Sequence, residues 1–201
     1  MIPVLNAPII KSWPRWLLAF SLCTSLLGTA PMLAPAQAEE AEYSEQIYLS
    51  QEQALKQVFG SLLVESRTLK PTAAQRKALQ KQLRRKLTEP DYTLYVGKRG
   101  GKIERYALIL DEKGKHYPIT FIVSMTSQAA VEQVAVMVYR ERRGDGIKRA
   151  RFLKQFQGKT LKDPLEVNRD IVHITGSTIS SWSIAAGVRK AVALVNTLVL
   201  S

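Results

Sequence analysis

Cysteine is nearly missing from this 201-residue chain: there is one, Cys23, and only two histidines, His116 and His173. A lone thiol closes no intrachain disulfide and builds no thiolate metal site, and two histidines are too few for a His-based one. Neither a P-loop nor a G-x-G-x-x-G turn is there to cradle a nucleotide. No Ser-His-Asp order and no paired-carboxylate motif argue for a hydrolase. Internal repeats and low-complexity linkers are also missing. Acidic residues are scarce, 17 against 29 basic ones, for a formal charge of +12.

What is there begins with an export signal. Lys11 and Arg15 form a basic head, residues 16–34 are apolar, and Ala36-Gln37-Ala38 is a small-x-small cleavage site. Gly28, Pro31 and Pro35 interrupt the apolar run, whereas a membrane span needs about 20 unbroken apolar residues. The expectation is a signal peptide over residues 1–38, cleaved, and a periplasmic protein of residues 39–201. That length suits a single mature domain with a real core. Cys23 departs with the signal, and Leu22 before it does not suit a lipoprotein site. Lys11 and Arg15 depart too, with no acidic residue, which lowers the charge from +12 to +10. Such a balance suits a phosphate-bearing ligand, an anionic membrane surface or an acidic partner, or is simply a solvated basic surface. Outside the cytoplasm, nucleic acid is not an expected partner.

Along the mature chain, residues 39–48 read as a flexible leader. Ser50 with Gln53 and Thr72 with Gln75 are capping boxes, each opening a helix. A short strand is expected near residues 62–64. This stretch to residue 90 is expected to be an N-terminal helical segment that packs on a sheet carried by residues 91–201. After Pro90 the period switches from helical to alternating. Tyr92, Leu94 and Val96, then Tyr106, Leu108 and Leu110, then Ile119, Phe121, Val123 and Met125, then Val134, Val136 and Val138 predict four antiparallel strands. Gly100-Gly101 signals a hairpin, and Glu112-Lys113-Gly114 a turn. Helical spacing returns from Ile147 through Phe156 and stops at Gly158. A last helix is expected from about Ser181, with Ile184, Val188, Ala191, Val195 and Leu198 on its core face and Lys190 off it. The predicted class is α+β: an antiparallel, curved, half-barrel-like sheet flanked by helices, since such a sheet buries a face that helices must cover.

One stretch is chemically unusual. Thr175, Gly176, Ser177, Thr178, Ser180 and Ser181 crowd the mouth of the last helix. A helix start presents free N–H groups and a positive dipole end, which favour an anion. Gly176 allows a tight turn and a close approach. A single hydroxyl would suffice as an N-cap; five in seven positions exceed that need.

Thr175-Gly176-Ser177-Thr178 followed by Ile179-Ser180-Ser181 resembles the SGAT-type motif of the FMN-binding domain family. That family includes small exported proteins and the covalent-flavin subunits of the sodium-pumping NADH:quinone reductase and of the Rnf complex. VMVYRERRGDGI at residues 136–147 is similar to the family's Y-R-E-x-R-G-x-E-I segment, and FLKQFQGK at 152–159 to its F-x-x-Q-F-x-G-K helix end. Asp163-Pro164-Leu165 and Asp170-Ile171 also fit, so the resemblance covers roughly residues 92–195. Val172 stands where the family has an acidic residue, with Asp170 two residues back, and Ser177 stands where Ala is usual.

The resemblance implies FMN as cofactor, joined by a phosphoester to Thr178 by an FAD-dependent, magnesium-dependent flavin transferase. It implies that Thr175, Gly176, Ser177, Ser180 and Ser181 shape the phosphate turn. It places Tyr139, Arg143, Gly144, Phe152, Phe156 and Lys159 on the ring side, although Phe152 and Phe156 equally fit a core stripe. It implies an electron-transfer carrier or reductase component, with a membrane haem or quinone-linked redox partner. Two other readings stay open: a module that binds flavin non-covalently or takes another phosphorylated ligand, and a structural exported domain whose site has decayed.

Overall fold

Six antiparallel strands form one open sheet, in the order β1-β6-β5-β4-β3-β2. They are β1 (Gln46–Ile47), β2 (Leu63–Leu69), β3 (Tyr92–Arg99), β4 (Lys102–Lys113), β5 (Pro118–Thr126) and β6 (Val131–Tyr139). The structure is a computed structural model, and it describes residues 45–201. The signal-peptide reading of residues 1–38 lies outside the described residues. The expected α+β architecture, an antiparallel sheet flanked by helices, is present.

Both capping boxes form. Ser50 opens α1 (Gln51–Phe59) and Thr72 opens α2 (Ala73–Leu83), each side chain accepting from its Gln N–H while that Gln reaches back. Leaving the flank of the sheet bare would expose its apolar side chains, so helices cover both faces. On one face α1 packs Ala54, Val58 and Phe59 against Ala107, Ile122, Ala135 and Met137. On the other, α2 and α4 (Thr178–Val195) cover the larger core built on Leu94, Leu108, Phe121 and Val123. Each fully buried Val, Leu, Ile or Phe there contributes about 1.5–3 kcal/mol. Gly187 lets α4 lie close on the sheet: a Cβ at that position would collide with Phe121 Cζ and come within 2.7 Å of Glu112 Cγ.

Several sequence expectations are corrected. The leader ends sooner than residue 48, because Gln46 and Ile47 pair with Tyr139 and Val138. The strand expected near 62–64 is longer and becomes the sheet edge β2. Helix from Ile147 to Phe156 is replaced by three short pieces, a 3-10 turn at Asp145–Lys148, α3 (Ala150–Leu153) and a 3-10 turn at Lys154–Phe156. The break comes at Arg149, which is extended at φ −65° and ψ 133°. Val138 does not share a face with Val134 and Val136. The register slips between Thr120 and Phe121, leaving Met137 as an extra residue. Such a bulge reverses the alternation, so Val138 joins the α1 side and Tyr139 turns into the α4 side.

Lys190 is not off the core face of α4 but 2% exposed. Its Nζ lies 2.8 Å from Glu112 and 2.9 Å from Glu89. Glu112 is itself buried and takes a bidentate pair from Arg85, both bonds 2.7 Å. This buried charge network ties the end of α2 and the middle of α4 to β4.

Candidate functional site at the mouth of helix α4

Helix α4 begins at Thr178, three residues before the expected start near Ser181. The turn before it explains the early start. Gly176 has a φ of +79°, and Ser177 N–H donates to Ile174 O at 2.9 Å to close the turn. Ser181 Oγ donates to Ser177 O at 2.8 Å and accepts from Ile174 N at 3.3 Å, so one hydroxyl pins both ends of the turn. Asp170 lies in the turn that precedes Ile171. Its carboxylate accepts from the N–H groups of Leu165 and Glu166 and pairs with Lys159. Burial opposes its ionisation, but the Glu166 N–H and the Lys159 ammonium outweigh that and hold its carboxyl below the usual range.

The structure divides the hydroxyl cluster in two. Ser177, Ser180 and Ser181 are buried. Ser177 makes no capping bond through its side chain; a Cβ on Gly146 would lie 3.0 Å from its Oγ. Ser180 Oγ lies 3.0 Å from Tyr139 Oη, which also donates to Arg143 O at 2.6 Å. Thr175, Gly176 and Thr178 are exposed. Among the described residues the Thr178 hydroxyl has no hydrogen-bond partner, and open space lies beside Gly176. The first helical bond runs from Ser181 N–H to Ser177 O, so the N–H groups of Thr178, Ile179 and Ser180 precede the ladder and are available to an anion.

The loop after β6 leans on this mouth. Gly144, at φ +93°, sits so close that a Cβ would come within 2.6 Å of Tyr139 Oη, 3.3 Å of Ser180 Oγ and 3.5 Å of Gly176 O. Arg142 and Arg143 precede it and are exposed, and Asp145 follows it, paired with Lys148 at 2.8 Å. Burial pushes the Tyr139 phenol up, only partly offset by Ser180, so it remains a protonated donor.

Other sequence-predicted residues are engaged in contacts of their own. Phe152 and Phe156 are buried at 1% and 0% exposure and meet edge-on, with ring centroids 5.5 Å apart. Lys159 Nζ sits 2.9 Å from Asp170, so its charge serves the 165–170 loop. A cavity of about 600 Å³ opens beside the outer edge of β6, lined by Tyr48, Leu49, Val134, Val136, Leu153 and Lys154 among others. None of residues 174–182 lines it. Among the described residues no group of three His, Cys, Asp or Glu side chains could hold a metal ion.

Sequence reasoning missed two features. Glu112 continues the inward alternation of Leu108 and Leu110, a signal that its carboxylate is buried and needs a cation from another element. Trp182 lies one turn after Thr178 and is 48% exposed, beside Ile179 at 50%. Apolar residues that far out on an otherwise buried helix could have been noticed from the spacing alone.

No protein-family model matches the chain, and a search of curated proteins finds no match. Among solved structures the chain is similar to one subunit of the Na(+)-translocating NADH-quinone reductase from Parabacteroides distasonis. The TM-score is 0.49 at 17% identity, over 70% of this chain and 79% of that one.

Proposed function

We propose that this chain is an exported electron-transfer protein that carries FMN on Thr178 through a phosphoester. The observation that carries this reading is the division of the hydroxyl cluster: three serines are built into the turn and the loop contacts, while Thr178 stands exposed on the first helical turn beside unused N–H groups. The residues present suit the group. A phosphate joined to Thr178 Oγ1 keeps a negative charge at the positive end of α4, and the open space beside Gly176 leaves room for it. Thr175 is exposed too, but it precedes the helix, outside the first turn of α4 whose N–H groups point along the helix axis.

Attachment requires a flavin transferase that uses FAD. The phosphate's bond to AMP breaks, a bond to Thr178 Oγ1 forms, and the hydroxyl proton leaves with AMP. Bound FMN supplies one- and two-electron chemistry. The chain's own residues supply position and charge. Tyr139 Oη fixes Ser180 and the Arg143 carbonyl, Ser181 fixes the turn, and the N-terminus of α4 offers its positive end. A covalent tether keeps the local concentration high in a compartment where free flavin diffuses away. The expected partner is a membrane haem or quinone-linked redox protein.

The test is retention through denaturation. The full chain is co-expressed with a flavin transferase, and the exported protein is run on a denaturing gel. Flavin fluorescence in the protein band supports the reading. A yellow native protein that loses all fluorescence on denaturation replaces it with non-covalent binding, and a colourless protein refutes it.

A further inference from the structure

The ring side of this site lacks the aromatic surfaces that the resemblance assigns to it. Phe152 and Phe156 are spent on the core, and Tyr139 is 1% exposed with its hydroxyl engaged. An exposed apolar surface does exist, and it lies on α4 itself. Trp182 and Ile179, 48% and 50% exposed, are three residues apart and so neighbours on one helix face. Thr178 is four residues before Trp182, about one turn. Long side chains on a helix lean toward its N-terminus and cover the preceding turn, so the indole leans over the Thr178 turn. Elsewhere α4 is an interior helix: Ile184, Ala185, Val188, Ala191 and Val192 are all at or below 1% exposure. Two large apolar side chains left half in water next to the one unengaged helical hydroxyl of the cluster have no packing role that explains them.

We infer that Trp182, flanked by Ile179, is the platform on which the isoalloxazine of FMN tethered to Thr178 lies. The inference rests on the proposed attachment at Thr178. The occupant follows from the tether: a planar aromatic group fixed one turn away meets this surface before any other, and stacking removes apolar area of both partners from water. One ring face then lies on the indole while the other stays accessible to a redox partner. Trp182 acts as a positioning residue, holding the ring in place.

The experiment compares wild-type, Trp182→Leu and Trp182→Phe full chains, each co-expressed with a flavin transferase. Covalent FMN per chain is measured on denatured protein, and flavin emission is read as the native-to-denatured ratio. An indole stacked on flavin quenches it, and an aromatic pair of this kind favours the stacked form roughly five-fold. Trp182→Leu is therefore expected to keep its covalent FMN while the native emission ratio rises roughly five-fold, and Trp182→Phe, whose phenyl ring can stack but does not quench, is expected to rise with it. Equal ratios in loaded wild-type and loaded Trp182→Leu overturn the platform and leave the tether standing. Wild-type chains that carry no covalent FMN overturn both.

Discussion

Changing Glu112 to Gln keeps the shape of the side chain and removes its charge from a buried network. The carboxylate is 8% exposed and accepts two 2.7 Å bonds from Arg85, with Lys190 Nζ 2.8 Å away. The amide can satisfy only part of this, because its NH2 faces donors. Among the described residues Lys190, 2% exposed, is left with Glu89 as its one anionic partner. Breaking one partner out of a buried pair costs about 3–5 kcal/mol. Arg85 is 31% exposed through its side chain and can be resolvated, which favours the lower end, about 3 kcal/mol. For a domain of this size each kcal/mol moves the midpoint by about 2–4 °C, so the expected fall is roughly 6–12 °C. The assay is thermal unfolding followed by circular dichroism, with urea titration to confirm an unchanged slope. A Glu112→Leu/Lys190→Met double variant, which removes both buried charges, is expected to recover much of the loss. A loss below about 1 kcal/mol in the single variant, or a double variant no better than the single, refutes the reasoning.

Further outcomes follow from other contacts. Gly187→Ala gains about 1 kcal/mol of helix propensity but forces a methyl into Phe121 and Glu112. Overpacking of about 1–3 kcal/mol is expected to dominate, and a variant as stable as the parent in urea contradicts that. Burial works against the ionisation of Glu89, yet the Lys190 ammonium and a backbone N–H outweigh it and hold its carboxyl at about 2 instead of 4.5. A depressed carboxyl stabilises fully above its unfolded value, so this contribution is lost as pH falls from about 4.5 toward 2. Glu89→Gln should flatten the acid limb of stability in that window, and an unchanged limb refutes it. Tyr139→Phe removes bonds to Arg143 O and Ser180, at about 1–2 kcal/mol. Hydrogen exchange should quicken at residues 143–147, and unchanged protection there is the contrary result.

How much of this was legible in the sequence depended on whether the signal was local. Ser50 with Gln53 and Thr72 with Gln75 announce their helices because a capping box involves only four residues. The alternation through Tyr92, Leu108 and Phe121 announces a sheet because the period of two is a property of each strand alone. Features set by tertiary contact were not readable in this way. The extra residue at Met137 flips Tyr139 toward Ser180, and nothing in residues 131–139 marks it. The start of α4 moved to Thr178 because Ser181 ties back to Ser177 and Ile174, a bond that exists only once the turn has formed. Lys190 looked like a surface residue until Glu112 met it across 78 positions of chain. At the candidate site the hydroxyls were visible as a group, but which of them face outward is decided by Tyr139, Gly146 and Ile174, all distant or on the turn itself.

The central claim is that Thr178 alone accepts the flavin phosphate. Peptide mapping by mass spectrometry on the full chain, co-expressed with a flavin transferase, tests it directly. The account predicts one FMN-bearing peptide, fragmenting with the added mass on Thr178, and no such peptide in Thr178→Ala. Added mass on Thr175 or on any serine of the cluster, or mass that persists in Thr178→Ala, contradicts it.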